Sequence, residues 1–95
     1  MKSAVIRYRT KPEAADENQR LIENVFAELA QKQPEGLRYS TFRLDDGITF
    51  VHVVTDEGDT LPGLSAFQEF QRDLGNRLES GPDRENATAI GGYTG

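Results

Sequence analysis

The chain has 95 residues, 36% hydrophobic and 28% charged, with no Cys and no Trp. That length suits one domain spanning residues 1–95, since two separate cores would be too small to fold, and the composition excludes collagen-like, disulfide-rich and thiolate-metal proteins. The formal charge of −5 is uneven: residues 1–43 carry eight Lys/Arg against six Asp/Glu, a net of +2, while residues 44–95 carry three against ten, a net of −7.

This balance repels polyanions, so no nucleic-acid partner is expected. The small basic cluster of Lys2, Arg7, Arg9 and Lys11 reads as charges at a strand edge. No apolar run reaches the roughly 18 residues of a membrane span, so no membrane partner is expected either. Ala4-Val5-Ile6 is too short for a signal-peptide core and Arg7 interrupts it, which predicts a cytoplasmic protein.

Residues 3–9 alternate as a strand, with Ala4, Ile6 and Tyr8 on one face and Val5, Arg7 and Arg9 on the other. Residues 12–32 predict a helix. Thr10 and Glu13 have capping-box spacing, Pro12 suits a first turn, and Leu21, Ile22, Val25, Phe26 and Leu29 form one apolar stripe. Pro34 and Gly36 end it. Residues 37–44 and 48–55 predict a hairpin around Asp45-Asp46-Gly47. A three-residue turn with Gly47 left-handed sets Leu44 opposite Ile48 and Phe42 opposite Phe50, stacking two apolar pairs on one face. Ser40 and His52 then share that face, and Tyr39, Thr41, Val51 and Val53 share the other. Residues 63–78 predict a second helix with a stripe of Leu64, Phe67, Phe70, Leu74 and Leu78. Ser80-Gly81-Pro82 breaks it, and residues 84–93 predict a last, weak strand.

The order β-α-β-β-α-β with right-handed crossovers predicts an α+β, ferredoxin-like fold: a four-stranded antiparallel sheet ordered 4-1-3-2, with two helices on one face. The bare face, bearing Val5, Val51, Val53, Tyr39 and Thr41, is too apolar for water, which predicts a homodimer formed sheet to sheet.

These features come with a resemblance. The segments Ile6-Arg7-Tyr8-Arg9 leading to Lys11-Pro12-Glu13, then Glu35-Gly36-Leu37-Arg38-Tyr39, Leu44-Asp45-Asp46-Gly47 with Phe50-Val51-His52-Val53, and Ala66-Phe67-Gln68-Glu69-Phe70 resemble the dimeric α/β-barrel superfamily, specifically small antibiotic-biosynthesis-monooxygenase-like proteins. The resemblance implies two sheets closing into a barrel at a dimer interface, and a pocket in each subunit between its sheet and helices. It also implies activities ranging from cofactor-independent oxygenation of polycyclic phenols to haem degradation and isomerisation. The oxygenases and haem degraders typically use an Asn with a Trp; this chain has no Trp, and its first strand offers Arg7, Tyr8 and Arg9 where the haem degraders place an Asn. Helix 63–78 has no His to ligate haem iron, which disfavours haem degradation.

The residues themselves nominate Tyr8 and His52 as a catalytic pair, a phenol and an imidazole on adjacent strands facing an apolar cleft. His52 would take the proton of a phenolic or enolic substrate, and Ser40, Phe42, Phe50 and Phe67 would contact that substrate. An electron-rich phenolate reacts with dioxygen unaided, so neither cofactor nor metal is expected. The expected partners are a second copy of the chain and a hydrophobic or aromatic small molecule. The alternative is a non-catalytic binding or stress-accessory protein in which His52 and Tyr8 are satisfied core residues. Asp56, Glu57 and Asp59 lack calcium-loop spacing and read as a solvated turn.

Overall fold

The computed structural model describes residues 2–95. Four strands, β1 (Lys2–Thr10), β2 (Leu37–Arg43), β3 (Thr49–Asp56) and β4 (Leu78–Thr88), form one antiparallel sheet ordered β2-β3-β1-β4. That is the predicted ferredoxin-like order. Helix α1 (Ala15–Lys32) joins β1 to β2, and α2 (Ser65–Arg72) with the one-turn α3 (Leu74–Arg77) joins β3 to β4.

The apolar stripe of α1 is the inner half of the core. Leu21, Ile22 and Val25 are buried there with Tyr8 and Phe50 from the sheet and Leu61, Leu64 and Phe70 from the second crossover. Glu28 ties the two helices together, accepting the Ala66 amide at 2.8 Å and so satisfying a free donor at the start of α2. Among the described residues no helix is long and apolar enough to cross a membrane.

Four predicted details are corrected. Thr10 does not cap α1. It is fully buried, and its amide and hydroxyl both donate to the Ile48 carbonyl, while α1 starts after a 3-10 turn over Pro12–Ala14. The hairpin is shifted by one residue. Arg43 pairs with Phe50, Phe42 with Val51 and Thr41 with His52. Asp46 causes the shift: its carboxylate accepts the Ile48 and Thr49 amides at 3.0 and 2.9 Å, and Thr49 also gives it a hydroxyl bond. Ile48 thus belongs to the loop, and the closing pair is Leu44 with Thr49.

The helix predicted over 63–78 breaks at Asp73. The guanidinium of Arg77 folds back onto the Phe70 carbonyl at 2.6 Å, taking up a carbonyl at the end of α2. Leu78 therefore leaves the stripe and pairs with Thr10 on β1. The last strand runs over Leu78–Thr88 rather than 84–93. It passes through Gly81-Pro82 by way of a bulge opposite Tyr8, where Gly81 adopts a left-handed φ of +92°. Gly91 and Gly92 lie beyond the strand.

Candidate functional site

Strand alternation aims the site. Ala4, Ile6, Tyr8 and Thr10 of β1 face the helices, and His52 of β3 stands directly across from Ile6. Tyr8 and His52 are then diagonal neighbours on one face, close enough for long side chains to meet. The Tyr8 hydroxyl lies 2.7 Å from His52 Nε2, and both residues are buried.

The one-residue hairpin shift decides what else surrounds them. It turns Tyr39 and Thr41 inward and Ser40 and Phe42 outward. Tyr39 and Thr41 therefore belong beside His52 rather than on the bare face. The Tyr39 hydroxyl is 2.6 Å from His52 Nδ1, and Thr41 Oγ1 is 3.3 Å from the same nitrogen. Ser40 and Phe42, expected to contact substrate, lie on the opposite face of the sheet, with Phe42 55% exposed. Phe50, also expected to contact substrate, is buried behind Tyr8, stacking on it at 5.7 Å, and does not line the cavity. Phe67 does line the cavity.

Two polar residues outside the expected set complete the cluster. Asn18 is fully buried on the inner face of α1, and its Nδ2 donates to the Tyr8 hydroxyl at 2.9 Å. Arg77, also buried, donates from Nε to Asn18 Oδ1 at 3.0 Å and packs over the Phe70 ring. The result is an unbroken row, Arg77–Asn18–Tyr8–His52–Tyr39. Asn18 had a legible signal: it precedes Leu21, Ile22 and Val25 at helical spacing, a polar residue on the buried stripe. Arg77 had none, since its burial depends on the break at Asp73.

Burial governs the electrostatics. Desolvation pushes the His52 imidazole down to about 4, so it is neutral at pH 7. The same cause raises both the Tyr8 and Tyr39 phenols above their ordinary value, despite the Asn18 bond that partly offsets it at Tyr8. Burial also lowers Arg77, which remains cationic at any ordinary pH.

Tyr8, Tyr39 and His52 form one wall of a cavity of about 640 Å³ between the sheet and α2. Ile6, Val54, Leu61, Phe67, Phe70 and Leu74 supply its apolar surface. That volume lies within the range of preformed small-molecule sites. Aromatic rings crowd the inner end, with His52 5.6 Å from Phe70 and 5.8 Å from Tyr39. Among the described residues no three His, Cys, Asp or Glu side chains are grouped so as to hold a metal ion.

No protein-family model matches the chain, and no curated protein matches it. Solved structures do match in fold. A conserved protein from Methanosarcina mazei is 22% identical with a TM-score of 0.69, over 90% of this chain and 89% of that one. A proposed antibiotic biosynthesis monooxygenase from Nitrosomonas europaea has a TM-score of 0.76 at 8% identity, over 95% and 99%. A variant of a cofactor-independent oxygenase from Streptomyces nogalater has a TM-score of 0.65 at 18% identity, over 96% and 94%. The chain thus shares its fold with solved structures described as antibiotic biosynthesis monooxygenases.

Proposed function

We propose that this protein is a homodimeric, cofactor-independent oxygenase-like enzyme of the cytoplasm, acting on an aromatic or polyketide-like phenol or enol. The observation that carries this reading is the hydrogen-bonded Tyr8–His52 pair set into the wall of a preformed aromatic cavity. Because Nε2 is already held by Tyr8, a substrate proton reaches His52 by relay. The substrate O–H bond breaks as its proton passes to the Tyr8 oxygen. At the same time the original Tyr8 proton moves to Nε2. The products are a substrate anion, a neutral Tyr8 donating to it, and an imidazolium. The anion then gives four electrons to dioxygen: one oxygen atom bonds the ring carbon, which loses its hydrogen and becomes a carbonyl, and the other leaves as water, carrying that hydrogen and the proton returned from His52.

A base buried to about 4 selects its substrate. A simple phenol, near 10, is too weak an acid, whereas a vinylogous enol or carbonyl-conjugated phenol falls within reach. A panel of such polyphenols in an oxygen electrode tests the reading. Wild type is expected to consume oxygen, and His52→Gln and Tyr8→Phe to lose roughly 100-fold or more of the rate. No uptake by wild type, or equal uptake by all three, would overturn it.

A second reading has one observation in its favour: both His52 ring nitrogens are already engaged by tyrosine hydroxyls. The cavity would then bind such ligands without turnover. Titration calorimetry separates the two, since tight binding with no oxygen uptake leaves the second alone.

A further inference from the structure

The row from Arg77 to Tyr39 has a direction, and the direction is set at its far end. A guanidinium can only donate. The atom of Asn18 facing Arg77 Nε is therefore the carbonyl oxygen, 3.0 Å away, and the amide NH₂ faces Tyr8 at 2.9 Å. The Tyr8 oxygen thus receives a hydrogen from Asn18 and must place its own elsewhere. Within the row the remaining neighbour is His52 Nε2 at 2.7 Å. If Nε2 carried a proton, two donors would converge on Tyr8 and its hydroxyl hydrogen would have no acceptor in the row. With Nε2 unprotonated, Tyr8 donates to it, and the imidazole proton lies on Nδ1, directed at the Tyr39 hydroxyl 2.6 Å away.

We propose that Asn18 and Arg77 are positioning residues that orient the whole row, holding His52 with its proton on Nδ1 and its Nε2 lone pair on Tyr8. The preference comes from burial: with the proton on Nε2 the hydroxyl hydrogen lacking an acceptor in the row is that of buried Tyr8, whereas with the proton on Nδ1 it is that of Tyr39, which is only half-buried at the cavity wall. Arg77 itself is held in place by the Phe70 carbonyl and ring, so the orientation is built into the junction of α2 and α3. On the reading that His52 receives a substrate proton, this tautomer is the one the relay needs, since only an unprotonated Nε2 can take the Tyr8 hydrogen. Neither Asn18 nor Arg77 lines the cavity. Their effect passes through Tyr8.

The chain has a single histidine, so its ring signals need no residue assignment, and Nδ1 and Nε2 are told apart by their couplings to the ring C–H hydrogens. Nitrogen-15 NMR of the full-length protein at pH 7 is expected to show a protonated Nδ1 and an unprotonated Nε2. Asn18→Asp keeps the shape and the acceptor for Arg77, but offers Tyr8 an acceptor in place of a donor. It is expected to invert the tautomer, with Nε2 protonated and Tyr39 donating to Nδ1. Arg77→Met frees the amide to rotate and is expected to give a mixture. A wild-type spectrum with the proton on Nε2 overturns the proposal whether or not either variant folds. So does a folded Asn18→Asp protein with its proton still on Nδ1. Neither measurement needs a substrate, so a failed oxygenase assay with the expected tautomer defeats the functional reading and leaves this one standing.

Discussion

His52 is a titratable group sealed in an aromatic box, and its burial links the stability of the fold to pH. In the unfolded chain it takes up a proton near pH 6.5; in the folded protein it resists until about 4. Between those values the unfolded state binds more protons, so stability is full above pH 6.5 and falls as pH falls. At 1.36 kcal/mol per unit, lowering the pH from 6.5 to 5 removes about 2 kcal/mol, before the depressed carboxylates begin to protonate. Urea unfolding across that window is expected to show this loss in wild type and its absence in His52→Gln, whose amide still bonds both tyrosines. Equal slopes for the two proteins would mean that His52 is hydrated and outside the core. At this scale Tyr8 and His52 were legible because period-two alternation along β1 and β3 needs no knowledge of the turn between β2 and β3. Ser40, Phe42, Tyr39 and Thr41 depended on that turn, and all four came out on the wrong face.

The hairpin shows why. Apolar pairing favoured stacking Phe42 on Phe50, yet three hydrogen bonds to the Asp46 carboxylate outweigh that contact, and they draw it down to about 2. A side chain capping its own loop has no periodic signature, so it was invisible to a pattern-based reading. The last strand was obscured in the same way. Its charged residues, Glu79, Asp83, Arg84 and Glu85, suit an exposed edge rather than an alternating core strand. Gly81 looks like a breaker but is the residue that lets β4 continue. A Cβ there would sit 3.0 Å from both the Arg7 carbonyl and the Tyr8 Cβ, at a φ that L-residues rarely adopt. Gly81→Ala is therefore expected to cost roughly 1–3 kcal/mol in backbone strain and to push β1 at Tyr8. Thermal unfolding measures the first effect. The second appears as a change in the His52 nitrogen shifts, because Tyr8 is its partner. A Gly81→Ala protein with unaltered Tm and an unaltered spectrum would mean that the bulge tolerates a side chain.

The whole molecule is asymmetric: two crossover helices cover one side of the sheet and leave the other open. The predicted layer arrangement was legible because it follows from element order and crossover handedness, which tolerate errors of several residues at element ends. The composition of the open side was not, since it inherits the hairpin register. It now centres on Val5, Val51, Val53 and Phe42, with Phe42 and Val53 55% and 37% exposed. A two-fold axis through this patch would bring each Phe42 onto the partner's sheet, so one substitution acts twice. Burying a Phe side chain is worth roughly 1.5–3 kcal/mol, so two copies change the dissociation constant by roughly 100-fold or more. Light scattering at micromolar concentration is therefore expected to give twice the 10.6 kDa protomer mass for wild type. Phe42→Asp, which adds an unpaired charge to each side, is expected to give the protomer mass with its far-ultraviolet circular dichroism unchanged. A monomeric wild type would leave an apolar sheet face in water. The barrel would then have to be abandoned, although the cavity beneath α2, built entirely from one chain, would remain.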